Sequence, residues 1–140
     1  MNRPTIDLSA AAAAYGLDTV PPIVWDESVG ESIAGFDFGD KSIHVSSLLM
    51  SEDMTDDYSE HRFMAAGAPR LDREDAVRFI LAHELWHAAQ WTNDYERTLR
   101  QSMVERYSQL VGAGLHDELG IEQEADKHAA TAYKLVRVTP

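Results

Sequence analysis

Apolar and polar positions follow two different periods along this chain, and the changes of period mark out its elements. From Ala76 to Ala89 the apolar residues crowd together (Ala76, Val77, Phe79, Ile80, Leu81, Ala82, Leu85, Trp86, Ala88, Ala89). No Gly or Pro interrupts the chain between Leu71 and Trp91. That is the pattern of a buried helix. Asp72 is placed to cap its start, and Glu74 and Asp75 suit the positive end of its dipole. Upstream, Ile43, Val45 and Ser47 alternate with Ser42, His44 and Ser46, which predicts a strand. A second short run, Ile33 to Phe38, precedes it, and Gly39-Asp40-Lys41 between them predicts a hairpin. Ile23-Val24-Trp25 reads as a first strand after the break at Val20-Pro21-Pro22.

The remaining segments follow the same logic. Asp7 to Gly16 predicts a short alanine-rich helix, with Asp7 or Ser9 as cap and Gly16 as stop. Leu48 to Arg70 is polar and acidic and ends in Gly67-Ala68-Pro69. It reads as a loop over about 50–70, either disordered or a flap beside a cleft. After Thr92-Asn93-Asp94 a further helix is expected over 95–111, with Leu99, Met103, Tyr107 and Leu110 on its apolar face. Gly112-Ala113-Gly114 ends it, and a last helix follows Gly120 and runs to about Val136. The expected architecture is α+β: a small sheet of about three strands, antiparallel or mixed, packed on the central helix and the C-terminal one. A single domain over 1–140 is expected, because 140 residues with 44% hydrophobic content suit one core.

Composition narrows the function classes. Asp and Glu number 24 against 12 Lys and Arg, a net charge of −12. Such a chain has no basic cluster to neutralise phosphates, which argues against nucleic acid, and it favours cationic partners. No apolar run reaches the ~18 residues of a membrane span, and the start lacks a secretory pattern. A soluble, cytoplasmic protein without a membrane partner is the expectation. There is no cysteine, hence no disulfide framework and no thiolate ligand.

The central helix carries His83-Glu84-Leu85-Trp86-His87. Residues four apart lie one above the other on a helix face, so two imidazoles at that spacing reach one metal ion, as a zinc site requires. Glu84 falls about 100° round from the first histidine, close enough to accept a proton from a water on that ion. The competing reading is a surface helix with two solvated histidines. The apolar flanks oppose it, since buried imidazoles need partners.

A catalytic zinc ordinarily has three protein ligands. The best candidate for the third lies in Glu122-Gln123-Glu124-Ala125-Asp126-Lys127-His128-Ala129, where Glu122 and Asp126 are four apart and Ala125 and Ala129 share their side. Small residues let this helix approach the first, so Glu122 can enter the metal shell and Asp126 can hold a ligand histidine. Glu124, His116, Glu118 and His128 stay open as alternatives. Glu124, Lys127, His128 and Thr131 read as a solvated face, and His44 as a surface residue rather than a ligand.

These two motifs resemble those of the gluzincin metallopeptidases, which bind zinc through two histidines and a downstream glutamate. Glu122-x-x-Ala125-Asp126 is similar to the glutamate motif of the membrane-embedded HtpX/CAAX-protease type, and close to the Glu-x-x-Ala-Asn form of small soluble ImmA/IrrE-type peptidases. The order of elements most resembles the soluble type, over roughly Ile33 to Tyr133. This chain departs from the pattern at Trp86, where a small residue is usual, in the 35 positions from His87 to Glu122, and after Ala130, which lacks an apolar ending. The resemblance implies a minimal zincin-like fold, a Zn2+ cofactor on His83, His87 and Glu122, Glu84 as general base, and a protein or peptide substrate. It further implies that one of the two hairpin strands holds extended substrate. Tyr95, Tyr107 and His116 are candidates for stabilising an oxyanion. A metal-binding scaffold without proteolysis, and a non-peptidase zinc amidohydrolase, are the alternatives.

Overall fold

In the computed structural model residues 3–27, 33–50, 72–110 and 120–139 are described. The element order is β1 (Thr5–Asp7), α1 (Ser9–Ala14), β2 (Ile23–Trp25), β3 (Ala34–Asp37), β4 (Ser42–Val45), a 3-10 turn (Ser47–Met50), α2 (Arg73–Asn93), α3 (Tyr95–Leu110), α4 (Gly120–Ala132), a second 3-10 turn (Tyr133–Leu135) and β5 (Arg137–Thr139). This is a small α+β arrangement. Most of the expected loop 50–70 lies outside the described residues, as do Gly112–Gly114, His116, Glu118 and the side chain of Tyr107.

The central helix is built as its sequence dictates. Asp72 has an extended backbone and its side chain accepts from the Asp75 N–H at 2.9 Å, with Glu74 and Asp75 in the first turn. The segment from Ala76 to Gln90 is buried at nearly every position, so α2 is the core of the molecule rather than a surface helix. Phe79, Leu81 and Leu85 are among the largest fully buried side chains.

Around α2 the sheet is mixed, in the order β2-β4-β3. β2 runs parallel to β4 (Ile23↔Ile43, Trp25↔Val45), and β3 pairs antiparallel with it (Ala34↔Val45, Asp37↔Ser42). The hairpin turn works because Lys41 accepts a left-handed backbone (φ 56°) and two aspartates bind the turn amides. Asp37 accepts from the Gly39 N–H at 2.8 Å, and Asp40 from the Ser42 N–H at 3.0 Å. Among the described residues β4 therefore lies at the centre, and β3 is an edge strand packed on α2. α1 ends in a Schellman turn at Gly16 (φ 74°), with Leu17 N–H on Ala12 O at 2.9 Å and Gly16 N–H on Ala13 O at 3.1 Å. Only glycine takes that backbone conformation without strain.

Three expectations need correction. The last helix stops at Ala132, and the chain then turns and forms β5, antiparallel to β1 through Thr5↔Thr139, Ile6↔Val138 and Asp7↔Arg137. The β-branched run Val136-x-Val138-Thr139 favours a strand once a partner is present, and Asp7 opposite Arg137 adds a favourable cross-strand charge pair. Second, α3 does not pack through the whole of the expected apolar stripe: Leu99 is half-buried but Met103 is exposed, and the side chains of Tyr107 and Leu110 lie outside the described residues. Its buried face is led by Thr98, with Gln101, Ser102 and Glu105 half-buried, while Met103 and Val104 are 64% and 65% exposed. Polar contacts explain this: Thr98 Oγ1 donates to Gln90 O at 2.9 Å, and Glu105 accepts from the Ile121 N–H at 3.3 Å. Glu105 thus serves an N–H that the start of α4 leaves without a helical partner. Third, the face of α4 bearing Glu124 and His128 is not solvated, as shown below.

α2 and α4 meet over Ala125 and Ala129, both with no accessible surface. Ala129→Leu should therefore wedge the two helices apart and cost about 1–3 kcal/mol. Urea denaturation with near-native signal is the check, and an unchanged midpoint would mean that this contact is loose.

Candidate metal centre

The side chains that converge between α2 and α4 come from two helices and are all largely buried. His83 Nδ1 lies 2.7 Å from Asp126 Oδ1, and its Nε2 lies 2.8 Å from Glu122 Oε2. His87 Nε2 is 3.1 Å from His83 Nε2 and 3.2 Å from Glu122 Oε2. The two rings stand edge to face, with centroids 4.7 Å apart at 88°. Glu84 Oε1 approaches His83 Nε2 at 3.7 Å. His83, Glu84 and His87 together offer ligand atoms all within 4.8 Å of one another, a buried group that can hold a metal ion.

The partners fix which ring nitrogens point inward. A carboxylate only accepts, so the Nδ1–H of His83 donates to Asp126. On His87, Nδ1 lies 2.7 Å from Gln90 Oε1, while the Gln90 Nε2–H2 donates to Ile121 O at 3.3 Å. Because Ile121 O can only accept, the amide of Gln90 must turn its oxygen to His87. Both rings therefore carry their proton on Nδ1, and both Nε2 lone pairs face one carboxylate oxygen. Three acceptors that close repel unless a cation lies among them. A proton is the simplest such cation. Burial acts most strongly on His83 and lowers its pKa, but the hydrogen bonds with Asp126 and Glu122 and the charge of Glu84 outweigh it, and the ring is pushed up to about 9.

The sequence reading named His83, Glu84, His87, Glu122 and Asp126, and the structure brings these five together. Gln90 was missed. Its spacing of three from His87 on the helix was the available signal, since residues three apart share a face. Glu124 points elsewhere. It accepts from Trp86 Nε1 at 3.2 Å and pairs with Arg97 Nη2 at 3.2 Å. His128 stacks on Trp86 (centroids 3.5 Å apart, 13°), and Tyr15 meets the same indole edge-on at 4.9 Å. Of the expected solvated face only Lys127 and Thr131 are exposed. Tyr95 stands 47% exposed at the start of α3.

His44 is more engaged than a surface residue. Its Nδ1 lies 2.9 Å from Asp26, and its Nε2 3.0 Å from Asp40 and 2.8 Å from Ser42 Oγ. Asp26 and then Asp40 raise its pKa through these hydrogen bonds. Asp37, Asp40 and His44 also come close enough to hold an ion, but they lie on the hairpin rim and have other partners: Asp37 the Gly39 N–H, Asp40 both Ser42 and His44, and His44 also Asp26. Among the described residues no helix is long and apolar enough to cross a membrane.

Comparison with protein-family models, with characterised proteins and with solved structures gives no match. What the centre can do is therefore argued from its own geometry.

Two outcomes test that geometry. Glu122→Ala should weaken the affinity for a titrated divalent metal most. Asp126→Asn and Gln90→Leu should each weaken it by roughly 10–100-fold through the ring they orient. Glu124→Ala should leave affinity intact and lower stability modestly by freeing Trp86 and Arg97. Competition with a chromogenic chelator ranks the four, and a loss confined to Glu124→Ala would refute this arrangement.

Metal uptake should also release protons. Below about pH 9 the metal-free His83 is protonated, and a metal ligand must be neutral. Affinity should thus rise by about tenfold per pH unit from pH 7 until it flattens near pH 9. Calorimetry in buffers of different ionisation enthalpy should show about one proton released per metal at pH 7; no release would exclude the displacement.

Proposed function

We propose that this chain is a zinc-dependent peptidase with a zincin-like active centre. The observation that carries the proposal is the triangle of His83 Nε2, His87 Nε2 and Glu122 Oε2, with sides of 3.1, 2.8 and 3.2 Å. Ligand atoms about 2.0–2.1 Å from a tetrahedral zinc stand roughly 3.3 Å apart, so the triangle needs little movement to become one face of that tetrahedron. Two nitrogens and one carboxylate oxygen are a donor set that suits zinc better than magnesium or calcium, which favour oxygen alone. His83, His87 and Glu122 would hold the ion, leaving a fourth position open.

Zinc in such a site supplies Lewis acidity, acidifying water in the open position and polarising a carbonyl oxygen. The chain's own residues do the rest. Asp126 and Gln90 hold the two imidazoles by their Nδ1–H groups, so that the basic nitrogens face inward without reorganising. Glu84 accepts the proton of the attacking water and delivers it to the departing amide nitrogen, so that a C–O bond forms as the C–N bond breaks. Retention of this carboxylate supports catalysis over a purely structural site, which needs no base. Of the two hairpin strands, β3, packed on α2, is the one left to align an extended substrate, because β4 is paired on both sides. A peptide or protein substrate fits that geometry.

Glu84→Gln separates chemistry from binding, because an amide cannot take the proton. The variant should retain its zinc and its melting temperature and lose peptide hydrolysis by at least about a hundredfold. Hydrolysis at the wild-type rate would remove Glu84 from the mechanism.

A further inference from the structure

An exposed aromatic cluster stands at the far end of the metal-bearing helix. Phe38 stacks on Trp91 with ring centroids 4.6 Å apart and planes 13° from parallel, and Tyr95 tilts against the same indole at 5.8 Å. Phe38 and Tyr95 are each 47% exposed. Three separate elements supply the rings: the residue after β3, the last turn of α2 and the first residue of α3. Stacking of this kind holds the rings rigid, so a ligand that covers them loses little side-chain entropy from the protein.

The position relates the cluster to the centre. Trp91 lies seven residues beyond Glu84 on one uninterrupted helix. It is therefore turned only about 20° from Glu84 around the axis and displaced about 10 Å along it. Ala88, the residue between them on that row, is small and itself buried. An extended peptide advances about 3.3 Å per residue, so about three residues span the same distance. The edge strand β3 ends where the cluster begins, since Phe38 directly follows Asp37.

The charges around the rings have a sign. The hairpin contributes Asp37, Asp40 and Lys41, and the start of α3 contributes Asp94, Glu96 and Arg97. Along the chain four acids thus neighbour the rings against two bases; Arg97 is paired with Asp94 and Glu124, and Asp40 with His44. The rim shares the acidic sign of the whole chain, whose net charge is −12.

We infer that the Phe38–Trp91–Tyr95 cluster is a specificity subsite, which takes a bulky apolar side chain of an extended cationic peptide two to four residues from the bond that is cut. The inference rests on the peptidase reading and deepens it by naming the class of substrate. The rings supply apolar area, the acidic rim selects lysine or arginine beside the anchoring residue, and β3 sets the strand direction.

The test uses the full chain carrying Glu84→Gln and loaded with zinc, so that binding is read without hydrolysis. Three labelled octapeptides are compared by fluorescence anisotropy: one with a central Phe flanked by lysines, one with Ala for Phe, and one with Glu for the lysines. The first should bind at least about tenfold more tightly than either other. Trp91→Ala should abolish its advantage over the Ala peptide, and Phe38→Ala, at an exposed position that the fold does not need, should reduce it. Equal affinity for the Phe and Ala peptides, or an advantage that survives both substitutions, overturns the subsite. Preference for the Glu peptide overturns the charge assignment. Incubating wild-type enzyme with the same peptides keeps the two readings apart. Tight Trp91-dependent binding without cleavage removes the peptidase and leaves the subsite, whereas cleavage indifferent to Phe removes the subsite and leaves the peptidase.

Discussion

The contact between α2 and α4 governs the rest of the molecule, and two methyl groups set its distance. With Ala125 and Ala129 at the interface, the helices approach closely enough for side chains as short as aspartate and histidine to meet directly. A larger residue at either position would separate Asp126 from His83 and draw Glu122 away from both Nε2 atoms. The centre is therefore not an addition to a finished fold. Its geometry is a consequence of helix packing, which is why the carboxylates of α4 can be placed by packing rather than by a long loop.

That packing puts His83, Glu84, His87, Glu122 and Asp126 in one largely buried space, a costly arrangement unless charges and hydrogen bonds are matched. The molecule matches them in layers. Asp126 and Gln90 take the outer nitrogens, and Glu122 and Glu84 surround the inner ones. Gln90 reaches further than its neighbours. Its side chain joins His87 to the carbonyl of Ile121, and its backbone carbonyl accepts from Thr98 and from the Asp94 N–H. One residue thus connects His87, the first turn of α4 and the first turn of α3. The placement of Glu122, one position after Ile121, depends on that link.

Much of this was legible in the sequence, and the parts that were not share a cause. The apolar run from Ala76 to Ala89, the cap at Asp72 and the absence of Gly and Pro specify α2 locally, so its bounds followed from the chain itself. Gly39-Asp40-Lys41 specified the hairpin in the same way, and the i, i+4 acids of α4 specified which of its faces could meet a histidine. What failed depended on distant partners. Thr5-Ile6-Asp7 holds a single large apolar residue and becomes a strand only because Arg137–Thr139 lies beside it. The stripe through Leu99 and Met103 predicts the packing face of α3, but Met103 is exposed and Leu99 only half-buried, and hydrogen bonds with Gln90 and Ile121 turn Thr98 and Glu105 inward beside Leu99. Spacing alone does not rank an apolar stripe against a polar one that has partners waiting.

Trp86 shows what a bulky residue between His83 and His87 does for the packing of the two helices. It sits between His83 and His87 in sequence, yet about 60° round the helix from His83 and on the side away from Glu84. There its indole is enclosed by His128 from α4, Tyr15 from the end of α1 and the carboxylate of Glu124, which Arg97 of α3 holds in turn. Tyr15 also donates to Ala82 O at 3.3 Å, one residue before His83. A small residue at position 86 would leave these groups around a void, and the ring of His128 and the Glu124–Arg97 pair would lose the surface they rest on. The bulk of Trp86 therefore does for the outer face of α4 what the small size of Ala125 and Ala129 does for the inner one. Together they fix the rotation of α4 about its own axis, which decides that Glu122, and not Glu124, faces the histidines.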